Sequence, residues 1–332
     1  MTQCDIAVIG GGPEAMAAVS HLAWRNTPNV IWIAPDDPLE ADRHRDATRW
    51  GLSRSGETAT AVEFEELRKK IDIRIGATAW GAFPGFEVAV HSGNGSELVK
   101  AKRLILCTGA TEIARSFPGS DLPGVMTGDG LLRMLVHQQV WPGGRRVAIV
   151  GDDEEMTATV RAAIEMFDGE FVAQTHESPV VYARDGGTAS IQIGAEPPKE
   201  VDIVAICAGQ QPDIALALML ECATGYSEAL GGFVPVRSAD METSVAGVFV
   251  CGAGAGIGSR DAYTGEGVIA AEAAARSLDS DKATVASSAG FDERRLAWEA
   301  QHRSRLDAAA SVAAEWKQHA ITSVRATAGV PR

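Results

Sequence analysis

Basic residues are in the minority here, 30 Lys and Arg against 44 Asp and Glu, for a formal net charge of −14. A nucleic-acid groove or an anionic-membrane patch needs clustered Lys and Arg, so neither partner is expected. Cysteine is sparse: Cys4, Cys107, Cys207, Cys222 and Cys251 lie far apart and form no C-x-x-C pair. Zinc ribbons, thioredoxin-type dithiols and iron–sulfur clusters therefore lose their ligands. An odd number of thiols suits a reducing compartment, the cytoplasm, better than a disulfide framework. No apolar run reaches the roughly 18 residues of a membrane-spanning helix. The apolar segment from Asp5 to Trp24 has no basic leader and holds a tight glycine turn, so it is expected to be folded structure and not a secretion signal. The motifs G-x-S-x-G and H-E-x-x-H are absent, and His21, His44, His91, His137, His176, His302 and His319 lack metal-ligand spacing. Hydrolytic and metal chemistry thus have no starting group.

What the sequence does contain is apolar segments of strand length separated by helical ones. With 332 residues, 45% of them hydrophobic, the chain is long enough for two domains. Asp5 to Ile9 is a short buried-type run that ends in Gly10-Gly11-Gly12-Pro13-Glu14-Ala15. A helix-like stretch, Met16 to Trp24, follows, and then a second strand, Val30 to Ile33. That order is a βαβ unit opening a parallel sheet, so the fold class is α/β. Glu63 to Lys70 predicts a helix, and Ile71 to Val99 several short strands broken by Gly81, Gly85 and the Gly93-Asn94-Gly95 turn. Arg103 to Cys107 predicts another buried strand. The opening pattern recurs at Arg146 to Gly151, with a helix from Met156 to Met166, a weak strand near Phe171 and a closing strand from Val201 to Cys207. An internally duplicated nucleotide-binding half accounts for this. Gly247 to Gly252 gives one more strand, with a helix from about Glu266 to Arg276. Asp279 to Gly290 is a linker candidate, and Asp292 to His319 an amphipathic helix lying outside both domains.

Gly10, Gly12 and Ala15 satisfy G-x-G-x-x-G/A directly after a strand and at the mouth of a helix, with Pro13 at its start. Backbone N–H groups and the helix dipole can hold a pyrophosphate there: Gly10 permits the turn, Gly12 lets the phosphate approach, and Ala15 keeps helix and strand close. The bland reading is a turn that only joins strand to helix. A carboxylate about 20 residues on should bind ribose hydroxyls, but Ala34 holds that place. Asp36 and Asp37 follow Pro35 and are either displaced ribose ligands or solvated turn residues.

Four separated segments carry a family resemblance. They are Thr78-Ala79-Trp80-Gly81-Ala82-Phe83; Leu104-Ile105-Leu106-Cys107-Thr108-Gly109-Ala110-Thr111-Glu112; Phe117-Pro118-Gly119-Ser120-Asp121-Leu122-Pro123-Gly124-Val125-Met126-Thr127; and Thr243 to Gly252, with Ala255-Gly256-Ile257-Gly258 and Glu266-Gly267 beyond. In this order they resemble the alpha-type FAD/NAD-dependent subunits of heteromeric amine and imino-acid dehydrogenases. That group includes the A-type component of opine oxidases, the B-type component of hydrogen cyanide synthase, the alpha component of sarcosine oxidase and dye-linked proline or hydroxyproline dehydrogenases. The resemblance spans about residues 4 to 275. It implies a two-dinucleotide-binding-domain flavoprotein fold of the glutathione- and thioredoxin-reductase kind, with a shortened second domain and a helical C-terminal tail. The implied organisation is an FAD domain at 1–115 and 240–280, a degenerate NAD-like domain at 116–239, and a linker and helix at 281–332. It also places Thr108 and Gly109 near the adenylate half of FAD, and has Gly252 and Ile257 close over the ribityl and pyrophosphate. The implied partner is a second FAD-containing oxidoreductase subunit, with room for a small additional subunit. Activity on CH–NH donors would require that partner, and no catalytic residue is assigned to this chain.

The sequence also departs from the family pattern. Where the family repeats the glycine motif, this chain has Gly151-Asp152-Asp153-Glu154-Glu155-Met156. Like charges a few ångströms apart cost about 1 kcal/mol even in water, so these carboxylates oppose a pyrophosphate and NAD(P) is not expected. They equally suit the start of a helix. Barely 60 residues separate Val147 from Cys207, a short middle domain. The family's Gly-Asp becomes Gly252-Ala253, which with Ala34 removes two polar FAD contacts. No cysteine-rich cluster segment occurs. Trp80, Trp141, Trp298 and Trp316 are expected to serve packing or interfaces, and Leu296, Trp298, Leu306, Val312 and Trp316 to dock on a partner subunit. Two functions follow: an FAD-binding subunit relaying electrons from a partner flavoprotein, or a non-catalytic scaffold that has lost nucleotide binding. A freestanding NAD(P)H reductase ranks behind both.

Overall fold

The apolar run that opens the chain becomes β1 (Thr2–Ile9), in which Ile6, Ala7 and Val8 are fully buried. A strand apolar on both faces belongs inside a parallel sheet covered on both sides. The computed structural model describes residues 1–35, 61–184, 186–279 and 289–328. After β1 come α1 (Pro13–Trp24), β2 (Val30–Ala34), α2 (Ala61–Arg68), β3 (Asp72–Ile75), β4 (Thr78–Phe83), β5 (Glu87–Ser92) and β6 (Gly95–Leu106). The sheet runs β3-β2-β1-β6-β5-β4. β1, β2, β3 and β6 are parallel, with Ile6 opposite both Val30 and Arg103, and β4-β5-β6 forms an antiparallel meander.

The chain leaves this unit at β7 (Ala110–Glu112) and builds a second compact unit from described residues 111–210. Its elements are β8 (Val125–Thr127), α3 (Gly128–Leu132) continuing into a π-helical turn, β9 (Arg146–Val150), α4 (Glu154–Met166) and β10 (Glu170–Thr175). They are followed by β11 (Val180–Arg184), β12 (Gly187–Gln192), β13 (Lys199–Glu200) and β14 (Ile203–Ile206). A four-stranded parallel sheet, β10-β9-β14-β8, is accompanied by an antiparallel β11-β12-β13 meander. The sequence pattern does not announce that meander, since its strands are short and only partly buried.

After β15 (Gln210–Pro212) the chain adds α5 (Ala215–Met219), the hairpin β16 (Thr224–Ser227) and β17 (Gly232–Pro235), β18 (Val248–Val250) and α6 (Arg260–Asp279) to the first unit. β18 lies parallel to β6, with Val248 opposite Leu104. The division therefore falls at 110–111 and 210–211, where 115–116 and 239–240 were expected. The hairpin explains the difference at the second crossing: Leu230, Val234 and Val236 pack with Ala309 and Val312 of the C-terminal helix, all in the first unit. The tail forms two helices, α7 (Ala289–Gln301) and α8 (Arg303–Ala328), and is counted in the first unit, where the sequence suggested an appendage. Of its five docking candidates, Trp298 and Leu306 pack on the core around β1 and Val312 is buried, while Leu296 and Trp316 stay exposed. Most of the expected 279–290 linker lies outside the described residues.

α1 and α6 pack closely because their shared face is made of small residues, Ala15 and Ala18 against Ala270, Ala271 and Ala274. Their far ends are tied by Glu272, 1% exposed, whose carboxylate accepts from Arg25 Nη1 at 2.7 Å and from Arg276 Nε at 2.7 Å. His21 Nε2 lies 2.7 Å from the same carboxylate, which can only accept, so Nε2 carries the proton. Burial alone would raise this carboxyl, but His21, Arg25 and Arg276 outweigh it and bring Glu272 from 4.5 down to about 2. A depressed acid contributes stability above its unfolded value and loses it as pH falls. Glu272→Gln should cost about 3 kcal/mol at neutral pH by urea unfolding. The gap to wild type should close as the pH is lowered from 4.5 towards 2.

Candidate dinucleotide-binding site

The expected site residues of the first unit gather at the carboxyl ends of β1, β6 and β18, the edge where ligands bind in open α/β sheets. Beyond β1, Gly10 takes a φ of +126°, and a Cβ there would run into the carbonyl oxygen of Cys107 at the end of β6. The turn is held from below by Trp32, fully buried in β2, whose Nε1 donates to the Gly10 carbonyl at 2.7 Å. Gly12 is the extended N-cap of α1, and Pro13 fills the first helical position, where no N–H is needed. Ala15 is fully buried. Thr108 donates its hydroxyl to the Asp213 carbonyl at 2.6 Å, and Gly109, with φ of +77°, accepts from Asp213 N at 3.0 Å. A cavity of about 250 Å³ opens beside the turn, lined by Gly10, Ile33, Pro35, Trp80, Thr108 and Asp213. Asp36 lies outside the described residues.

Gly252, with φ of +73°, follows Cys251, whose Sγ is 3.4 Å from that of Cys107. The loop it opens depends on residues to which the sequence alone assigned no role. Gly252 N donates to Glu266 Oε2 at 2.9 Å, and its carbonyl accepts from Arg305 Nη2 at 3.0 Å. Arg305 grips Glu266 with two nitrogens, Nε at 2.8 Å and Nη2 at 3.0 Å, and donates Nη1 to the Ile257 carbonyl at 2.9 Å. Arg237 Nη2 donates to the same carboxylate at 2.7 Å. Burial acts to raise the Glu266 carboxyl, yet Arg237 and Arg305 together hold it below its ordinary range, so it is ionised. The only trace of this cluster in the sequence was the Glu266-Gly267 pair. Arg237 and Arg305 stand 29 and 39 residues from Glu266, too far for any local spacing to betray them.

A fourth ionisable side chain converges here. Glu14, in the first turn of α1, is 2% exposed. A Cβ added at Gly12 would lie 2.5 and 2.6 Å from its two carboxylate oxygens, and one added at Gly252 would lie 2.5 Å from its Cδ. Gly12 and Gly252, 240 residues apart in sequence, thus face one carboxylate.

The second unit repeats the tight turn: Gly151 has φ of +147°, and a Cβ there would run into the Cys207 carbonyl. Two of its acids are engaged locally. Asp153 caps α4, Oδ1 accepting from Met156 N at 2.9 Å, and Asp152 pairs with Arg115 at 3.2 Å. Among the described residues there is no group of three metal-ligating side chains and no helix long and apolar enough to cross a membrane.

The fold is that of the two-dinucleotide-binding-domain flavoproteins. Thioredoxin reductase of T. acidophilum matches 84% of this chain and 99% of its own with a TM-score of 0.56 at 15% identity. L-Proline dehydrogenase from P. horikoshii matches 89% of this chain and 58% of its own with a TM-score of 0.69 at 22% identity. In sequence the chain is similar to two proteins of Rhizobium meliloti (strain 1021). The A-type component of its opine oxidase is 26% identical over 330 residues, 82% of this chain and 70% of the relative. The alpha component of its sarcosine oxidase is 25% identical over 310 residues, 83% of this chain but 31% of the relative. The family resemblance seen in the motifs is borne out by these relatives. No family model matches the chain.

Arg305→Met would leave Glu266 one guanidinium short in a dry site. We expect a loss of about 3 kcal/mol in urea unfolding, with α8 the first element to gain hydrogen exchange.

Proposed function

We propose that this chain is the FAD-binding subunit of a heteromeric FAD-dependent dehydrogenase or oxidase of amines or imino acids, of the opine, proline, hydroxyproline or sarcosine kind. The observation that carries the reading is the β1–glycine turn–α1 junction with a cavity of about 250 Å³ at its side. The backbone suits the adenylate and diphosphate of a dinucleotide: Gly10 adopts the left-handed φ the bend requires, and Gly12 brings no side chain to the helix start. Gly10, Gly12, Pro13 and Ala15 would cradle the diphosphate, Thr108 and Gly109 would border the adenylate, and Gly252 and Ile257 would border the flavin side, with Asp36 a candidate ribose ligand. FAD supplies two-electron acceptance when bound. The chain's own part is to hold and orient it, with substrate oxidation on a second flavoprotein subunit. The similarity to components of opine and sarcosine oxidases supports a partner. Five buried, free cysteines suit a reducing compartment.

NAD(P) is not assigned to the second unit, because the Asp153 carboxylate already caps the α4 start and Glu154 and Glu155 follow it with like charge in the first turn. The scaffold alternative draws on that acidic turn and on Ala34 and Ala253. A complex purified with its partner, denatured, and its released cofactors assigned by mass to each chain separates the two readings. FAD should come with this chain and be lost in Gly12→Asp while the complex stays assembled. A colourless chain in a correctly assembled complex would favour the scaffold.

A further inference from the structure

We propose that Glu14 is a built-in occupant of the diphosphate position and sets how tightly this chain holds FAD, which must displace its carboxylate to enter. The proposal rests on the FAD reading above. In a dinucleotide turn the second glycine is bare so that phosphate can approach the backbone. Here the space against Gly12 is taken by both carboxylate oxygens of Glu14, at 2.5 and 2.6 Å from where a Cβ would sit. The same side chain fills the space against Gly252, its Cδ 2.5 Å and Cγ 2.6 Å from that glycine's absent Cβ. A carboxylate in the first turn of α1 meets the positive end of the helix dipole, as a phosphate would.

Charge points the same way. Around Gly252, the carboxylates of Glu14 and Glu266 are matched in number by the guanidiniums of Arg237 and Arg305. A diphosphate entering beside an unmoved Glu14 would add two negative charges next to two carboxyl groups in a water-poor cluster. With the Glu14 side chain swung aside, the two arginines outnumber Glu266 and favour the ligand. Glu266 is fully buried and bound to Gly252 N, Arg237 and Arg305, so its movement would release the loop that opens at Gly252. Glu14 is the carboxylate that stands against both Gly12 and Gly252, so it is the one a diphosphate meets on entry.

The test uses the full chain freed of nucleotide, titrated with FAD by calorimetry and flavin fluorescence, as wild type, Glu14→Gln and Glu14→Ala. Removing charge and bulk should tighten FAD binding about tenfold or more in Glu14→Ala. Removing charge alone should give part of that gain in Glu14→Gln, which keeps the side chain's shape should the alanine variant fold poorly. FAD should also raise the melting temperature of the variants more than that of wild type. If wild type binds FAD and neither variant binds it more tightly, the proposal is overturned and the FAD reading stands. If none of the three binds FAD, the FAD reading fails and takes the proposal with it.

Discussion

The Glu266 carboxylate is the interaction on which the first unit turns. Fully buried, it would cost several kcal/mol to desolvate as an ion, and such a group persists only where every lone pair is met. The Gly252 amide, Arg237 and both nitrogens of Arg305 meet it. Three parts of the chain are thereby fixed by one side chain: the loop that opens at Gly252, the segment after β17, and the start of α8. The tail belongs to the core for the same reason. A Cβ at Gly258 would lie 2.8 Å from Arg305 Nη1, so the loop is glycine where the guanidinium passes.

Much of the two main sheets was legible because their inner strands are buried on both faces and so form unbroken apolar runs. β1, β2, β9, β14 and β18 all sit where such runs predict them. The glycine turn was legible from its spacing alone. What the sequence concealed was structure with mixed burial. Tyr226 and Phe233 of the β16–β17 hairpin stack edge to face at 5.4 Å yet are mostly exposed, and Thr188 to Ser190 of β12 are only half-buried. An apolar face on α8 was visible, but periodicity gives a face and not its partner. Val312 lies against Gly225 of the same chain, whose missing Cβ leaves the room.

The candidate site divides along the same line. Backbone features announce themselves locally, since only glycine fits the φ of +126° at Gly10. Side-chain clusters assembled from distant segments do not. Trp32, which holds the turn through the Gly10 carbonyl, reads in the sequence as one more apolar strand residue. Glu14 reads as an ordinary first-turn acid, and only its burial and its position between two glycines distinguish it.

The two glycine turns form a controlled comparison within one molecule. Each bends over the carbonyl of a cysteine that ends a neighbouring strand, Cys107 for Gly10 and Cys207 for Gly151, and each precedes a helix that begins with acid. At the second turn the acid is the N-cap itself, and its short side chain is consumed by the Met156 amide of its own helix. Displacing it would strip α4 of a cap, at a cost of about 1 kcal/mol, and leave Glu154 and Glu155 in the first turn of the helix. At the first turn the N-cap is a glycine, and the acid sits two residues further on with one more methylene. Gly12 provides α1 with no side-chain cap, and the Glu14 carboxylate lies against Gly12 and Gly252. The same elementary unit thus carries acid at both turns, as the N-cap itself in one half and as a side chain set against two glycines in the other.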